Sequence, residues 1–309
     1  MASGAPSRRE GMGQSTPRRA GTAVVNDLVT SVAELVGSAR EARWLVEHVD
    51  GDAPHAWALA ERRAAGEPLQ YVLGRWPFRS VELSVDPRVL IPRPETEQVV
   101  EVALGELASL IAGASAVPGA RGDQRGPVCL DLGTGSGAIA LALAVEGGAL
   151  APGLVVLATD SSRDALDVAA ANLAEVGRRN RAAADRVQLF EGHWFDALPT
   201  ALVGTVDLLV ANPPYVAEAD FPHLDPTVRL WEPRAALVAP DAGGVGGMAD
   251  IEAIVSGAAR WLRPTGVLVV EIDPAQAEAT LDAARRAGWS RSGVRHDLAG
   301  RVRMVVARR

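Results

Sequence analysis

A chain of 309 residues that is 48% apolar, with a net charge of −7 and 31 basic residues that are all arginine, is long enough for one large α/β domain and a small accessory one. Its single cysteine, Cys129, excludes an intrachain disulfide and a thiolate metal cluster, and the lack of lysine excludes lysine-based chemistry. Residues 1–25 carry four arginines against one glutamate, a net of +3 that leaves −10 for the rest; that balance disfavours nonspecific grip on nucleic acid. No stretch has the length and apolarity of a membrane span or the apolar core of a secretory signal, so a cytoplasmic enzyme without membrane association is expected.

Residues 1–22, rich in Gly, Ser, Pro and Arg without apolar periodicity, read as a disordered tail, with Met12 an alternative start and an organelle-targeting peptide the competing reading. Residues 23–66 read as a helical domain of about three helices, from Val25, Leu28, Val32, Leu35 and Val36, then Ala42, Leu45, Val46 and Val49, then Ala56, Leu59 and Ala60. Residues 67–93 read as a hairpin and linker, with Val81, Leu83 and Val85 alternating. The remainder, 94–309, reads as the main domain. A helix follows Pro94, and residues 112–127 form an Ala/Gly/Pro-rich loop. From Val128 strand and helix patterns alternate as in a doubly wound sheet, with strands at 128–132, 154–159, 187–190, 206–211, 266–272 and 301–307.

Directly after the fourth of these strands comes Asn212-Pro213-Pro214-Tyr215. Such a tetrapeptide suits methylation of a planar amide or amine nitrogen. That nitrogen is a poor nucleophile, so its two N–H groups must be held by acceptors and its lone pair aimed at a methyl group. Asn212 supplies a side-chain carbonyl and Pro213 a main-chain one, Pro214 stiffens the loop, and Tyr215 offers a flat face for a planar group. Alone, the tetrapeptide is equally a proline turn ending a buried strand.

The first strand runs into Asp131-Leu132-Gly133-Thr134-Gly135-Ser136-Gly137, a glycine-rich turn opening a helix whose N-terminus is expected to present free N–H donors. Taken as Gly133, Gly135 and Ala138, this also satisfies the dinucleotide fingerprint, so the loop by itself does not choose a cofactor. Asp160, ending the next strand, suits ribose hydroxyls in either case. Three features favour S-adenosylmethionine. Asp131 is placed to meet an ammonium group; the Asn212 strand puts the tetrapeptide beside the loop; and Gly192-His193-Trp194-Phe195 after the third strand offers aromatic surface for adenine.

Glu67-Pro68-Leu69-Gln70-Tyr71-Val72-Leu73-Gly74, Leu90-Ile91-Pro92-Arg93-Pro94-Glu95-Thr96-Glu97, residues 131–137, the tetrapeptide and Glu232-Pro233-Arg234 together resemble the protein-(glutamine-N5) methyltransferases that modify peptide chain release factors. The resemblance runs from about residue 40 onward. It implies a Rossmann-like class I methyltransferase sheet, an N-terminal helical substrate-recognition domain, a hairpin linker and no metal. It implies as substrate the glutamine of a Gly-Gly-Gln tripeptide, with Asn212 and the Pro213 carbonyl each accepting an amide N–H. Tyr215 would shape the pocket, the Pro94-Glu95-Thr96 turn would line it, and Asp131, Gly133, Thr134, Gly135, Gly137, Asp160, His193, Trp194, Phe195 and Asn212 would hold the cofactor. Competing readings are glutamine methylation of a ribosomal protein, adenine-N6 methylation of RNA or DNA, and a cofactor-binding module without turnover.

Four departures from the family pattern stand out: a helical domain roughly 20 residues short, His193 where an aspartate is usual, Glu271-Ile272-Asp273 for Glu-Ile-Gly, and a loosened glycine loop at residues 243–248. Glu95 and Glu97 serve equally as helix N-terminal anions, and Glu232-Pro233-Arg234 as a loop-stabilising element.

Overall fold

The computed structural model describes residues 18–116 and 125–309, and the chain divides into two compact units, one ending at Leu73 and the other beginning at Gly74. Residues 1–17 and 117–124, which hold most of the expected tail and half of the expected loop, lie outside the described residues.

The first unit holds helices α1 (Arg18–Val36), α2 (Ala39–His48), α3 (Ala53–Ala64) and a single turn, α4 (Leu69–Leu73). Helix α1 begins inside the segment read as a tail, because arginine and alanine propagate a helix before any apolar stripe appears. Val32, Ala42, Leu45, Val46, Ala56 and Ala60 form the buried core, completed by Leu69 and Val72 from α4. That turn corrects the reading of residues 67–93 as hairpin and linker: it is too short for a 3.6-residue period to be legible. Arg62 fastens it, donating from Nε and Nη2 to the Glu67 carboxylate at 2.8 and 2.5 Å and from Nη2 to the Tyr71 carbonyl at 3.2 Å.

The second unit opens with the antiparallel hairpin β1 (Arg75–Phe78) and β2 (Val81–Ser84). At its tip Arg79 donates to Glu146 and Glu101 at 2.6 and 2.7 Å and to the Glu97 carbonyl at 2.9 Å. Helix α5 (Pro94–Ala116) continues past residue 111, so the loop expected from 112 starts later; its Ala-rich end propagates the helix.

Strand β3 (Val128–Leu132) leads to α6 (Ala138–Ala142), a π-helical turn at Leu143–Gly147 and α7 (Gly148–Leu150). After β4 (Val155–Asp160) come α8 (Arg163–Arg179) and α9 (Arg181–Ala184), then β5 (Val187–Glu191) and β6 (Val206–Ala211). The chain closes with α10 (Pro226–Arg229), α11 (Ala249–Trp261), β7 (Leu262–Glu271), α12 (Ala277–Arg286), β8 (Arg291–His296) and β9 (Val302–Arg308).

Seven strands form one sheet in the order β5-β4-β3-β6-β7-β9-β8, parallel except at β9. All six residues of β6 are buried, as a central strand covered by helices on both faces requires. Cys129 is likewise buried in β3, where desolvation pushes its thiol pKa up. Edge strand β8 escaped sequence reading because Arg-Ser-Gly-Val-Arg-His has neither an apolar run nor alternation.

Register decides what meets at the carboxyl ends. Leu132 pairs with Ala211 and Ala211 with Val270, so the next residues, Gly133, Asn212 and Glu271, stand at one level. The strand order reverses between β3 and β6, the place where doubly wound sheets bind ligands.

Asn172 of α8 ties the hairpin to this region. Its Oδ1 accepts from the Ser84 amide at 2.7 Å, and its Nδ2 donates to the Ser84 and Ser136 carbonyls at 3.1 and 2.9 Å. Asn172→Ala should cost about 2–3 kcal/mol, since buried backbone groups lose their partners; a urea midpoint within error of wild type, with unchanged slope, would contradict this.

Candidate active site

A pocket of about 850 Å³, counting its open mouth, lies at the switch between β3 and β6. Its floor is Gly133, Gly135 and Asp160; one wall is Gly192, His193, Trp194 and Asp250; the other holds Arg88, Val89 and Leu90 with Pro233, Ala235 and Ala236; Asn212 and Pro214 face it from β6.

Several amides of the glycine loop are committed within the protein: Gly133 and Thr134 both donate to the Thr159 carbonyl at 2.9 Å, Gly137 to Thr134 at 2.8 Å, Gly135 to Asp160 Oδ2 at 2.8 Å, and Ala140 to Asp131 Oδ2 at 3.1 Å. Gly133, at φ 74, also has the Trp194 ring where a Cβ would sit, 3.0 Å away, so a side chain there would both strain the backbone and displace the indole.

Asp131 is completely buried. Its Oδ2 accepts from the Thr134 hydroxyl at 2.6 Å as well as from Ala140, whereas Oδ1 has no partner. Desolvation pushes its pKa up to about 7, against the lowering effect of those two hydrogen bonds. Asp160 accepts from the amides of Ser162 and Gly135 at 2.9 and 2.8 Å, and burial raises its pKa too. Trp194, at φ 45, donates its indole N–H to Asp250 at 3.2 Å, and His193 meets the indole edge-on with ring centroids 5.1 Å apart.

Sequence comparison accords with this geometry. The methyltransferase small domain model matches residues 121–225. The chain is 40% identical over 240 residues to the release factor glutamine methyltransferase of Gloeobacter violaceus, covering 77% of this chain and 73% of that one. It is 38% identical over 286 residues to that of Deinococcus radiodurans, covering 87% and 90%. The chain belongs to the release factor glutamine methyltransferase family. It also resembles, with 18% identity and a TM-score of 0.48 over 79% of its length and 81% of the other, the N-terminal domain of human METTL16 in complex with SAH.

S-adenosylmethionine, the methyl donor of such a methyltransferase, carries an ammonium group, two ribose hydroxyls and an adenine amino group. Each of these can donate, and the Asp160 carboxylate that lines the pocket can accept from the hydroxyls. Asp131 stands behind the lining, completely buried, with one carboxylate oxygen unpartnered; an ammonium reaching that oxygen would compensate its charge. No helix among the described residues is long and apolar enough to cross a membrane.

Other expected site residues fall into different layers. Thr134 and Gly137 shape the loop from behind, one through Asp131 and the other as the N-cap of α6. Phe195 corrects the aromatic assignment: it stacks on Trp261 at 5.9 Å and covers Gly257, so it belongs to the core rather than the pocket. Pro213 is buried, and Tyr215 is held from behind by Gln276, whose Nε2 donates to the Tyr215 and Gly246 carbonyls at 2.9 Å each. The Pro94-Glu95-Thr96 turn does not line the pocket. Pro94 is exposed, Glu95 pairs with Arg301 at 3.1 Å, and Thr96 is buried behind Asn212.

The departures from family pattern have local uses. Asp273 caps the turn Pro274–Gln276, accepting from Ala275 at 2.8 Å while Gln276 reaches back to its amide at 3.2 Å. Gly247 keeps a tight fit: a Cβ there would lie 2.1 Å from the Tyr215 carbonyl oxygen.

Glu232 stabilises its loop as expected, accepting from the Ile91 amide at 3.0 Å and from Arg93 at 2.5 Å and so joining the two segments of one wall. Sequence reasoning missed Asp250 and the place of Glu271 behind the site. Glu271 did carry a signal, a lone acid closing an apolar strand as Asp131 does.

Proposed function

We propose that this chain transfers a methyl group from S-adenosylmethionine to the side-chain amide nitrogen of the glutamine in the Gly-Gly-Gln tripeptide of a peptide chain release factor. The observation that carries this reading is Asn212, set at the same sheet level as the glycine loop, with its amide nitrogen engaged behind it by Thr96 at 3.1 Å. The side-chain carbonyl is thereby left for the pocket.

The cofactor, when bound, supplies an electrophilic methyl on sulfur. Asp131 Oδ1 would receive its ammonium, Asp160 its ribose hydroxyls, and the wall of His193, Trp194 and Asp250 its adenine. Asn212 Oδ1 and the Pro213 carbonyl each accept one glutamine N–H, which turns the nitrogen lone pair toward the methyl. As the N–CH3 bond forms and the S–CH3 bond breaks, the nitrogen becomes pyramidal and positive, and both hydrogen bonds strengthen. The surplus proton then passes to water. Tyr215 is no base here: burial pushes its pKa up to about 12, so it remains protonated and shapes the pocket.

The helical unit serves to grip the protein substrate, and action on release factors implies the cytoplasm. Incubation with labelled S-adenosylmethionine and, separately, release factor, ribosomes and nucleic acid, followed by mass-spectrometric mapping, tests the reading. Label on the release factor glutamine is expected; label confined to a ribosomal protein or to adenine would overturn it.

A further inference from the structure

Resting on that reading of Asn212, we infer that Thr96 and Glu271 are positioning residues that determine which end of the Asn212 amide faces the pocket. A carboxamide has two ends of similar shape and opposite hydrogen-bonding character, so position alone does not make it an acceptor. The Asn212 Nδ2 group donates to Thr96 Oγ1 at 3.1 Å, and Thr96 Oγ1 donates to Glu271 Oε2 at 2.8 Å. Thr96 and Glu271 are 4% and 1% exposed, so water does not scramble the pattern.

The logic runs outward from the charge. An ionised carboxylate only accepts, and a hydroxyl has one proton. Once Thr96 gives that proton to Glu271, it shows Asn212 nothing but lone pairs. The amide must answer with Nδ2, because the opposite arrangement would set acceptor against acceptor in a buried place. Oδ1 is thereby committed to the pocket, and the glutamine meets a preorganised acceptor instead of a rotor.

The charge itself is balanced by its surroundings. Arg303 on β9 and Arg93 ahead of α5 favour ionised Glu271, while burial, the largest influence, and Glu95 on α5 oppose it; Tyr215 is coupled to the same carboxylate. The balance holds its pKa up to about 7. Protonated Glu271 would donate to Thr96, freeing the Thr96 proton to turn toward Asn212 and reverse the amide. Methyl transfer should therefore fade as pH falls through this range.

The test needs a readout independent of turnover. In isotope-labelled protein, the Asn212 side-chain N–H signals, assigned by their loss in Asn212→Ala, should exchange with solvent at least about tenfold more slowly than in Thr96→Val, with Thr96→Ser restoring protection. Turnover should fall about tenfold or more in Thr96→Val and recover in Thr96→Ser, while calorimetric affinity for S-adenosylmethionine stays within about twofold. Exchange in wild type as fast as at an exposed asparagine would overturn the inference whether or not any variant folds. So would unchanged turnover in Thr96→Val, or an equal loss in both variants. If wild type methylates no glutamine at all, the functional reading fails, and the exchange measurement still decides the orientation.

Discussion

Replacing Asn212 by alanine should lower single-turnover methyl transfer by about 10²- to 10³-fold, the scale of losing one preorganised hydrogen-bonding group at a reacting centre. Cofactor affinity should stay within about twofold, because the cofactor's expected partners are Asp160 and the Trp194 wall in the pocket and Asp131 behind it. Structural damage should be small. Thr96 keeps its bond to Glu271, and β6 is buried through Ala211 without using the Asn212 side chain. Asn212→Asp makes a harsher companion. Thr96 has one proton and would face carboxylates on both sides, so the new acid should stay protonated or push Glu271 to do so. Equal activity in Asn212→Ala would remove the asparagine from the chemistry altogether.

Asp131→Asn should divide binding from stability. The asparagine oxygen retains the bonds from Thr134 and Ala140, but an NH2 group occupies the place of the orphaned oxygen and presents a donor to the cofactor's ammonium. Affinity for S-adenosylmethionine should drop about 10²-fold, the scale of a charge-assisted bond lost with a donor set in its place. The unliganded protein should become more stable at pH 8. A carboxylate raised to about 7 in the folded state from an ordinary value of 3.8 is a burden on folding of roughly 4 kcal/mol once ionised. The sign is that of a raised acid: between about pH 4 and 7 the unfolded chain has lost its proton and the folded one has not, so stability declines as pH rises. Asparagine abolishes that decline, offset by one unsatisfied N–H, for a net gain of about 1–3 kcal/mol. In wild type, cofactor binding should strengthen as pH rises to about 7, where Asp131 ionises, and weaken above roughly 8, where an α-amino group loses its proton. Calorimetry across that range checks both limbs; a flat profile in wild type would place the ammonium elsewhere.

Much of this site was legible before the coordinates. Strands β3 and β6 are Val/Leu-rich, each with one aspartate, and were read with their observed bounds, which put Asp131 near the end of one and Asn212 directly after the other. Depth was less legible than position. Thr96 lies in a motif pointing to the pocket yet stands one layer behind it, and Phe195, one residue beyond the pocket-lining Trp194, faces the opposite way. Neither is a property of spacing along the chain; both depend on which rotamer the neighbouring layer leaves open. The Asp131 carboxylate was read for its charge, and only its burial explains why one oxygen waits for a partner. Short elements such as α4 and β8 lack enough residues or apolar alternation for any period to show.

The shared level of Gly133, Asn212 and Glu271 makes the sheet a ruler. Neighbouring strands are about 4.8 Å apart whatever side chains they carry, so the backbone gauges the gap between donor seat and acceptor seat. Core substitutions can soften that gauge without changing its graduation. A one-residue insertion or deletion within β6 or β7 is different: it would carry Asn212 or Glu271 off the mark and toward the other face of the sheet. Loops around the pocket are therefore free to vary in length and choose among protein partners, while the two strands that set the transfer distance tolerate no change in length.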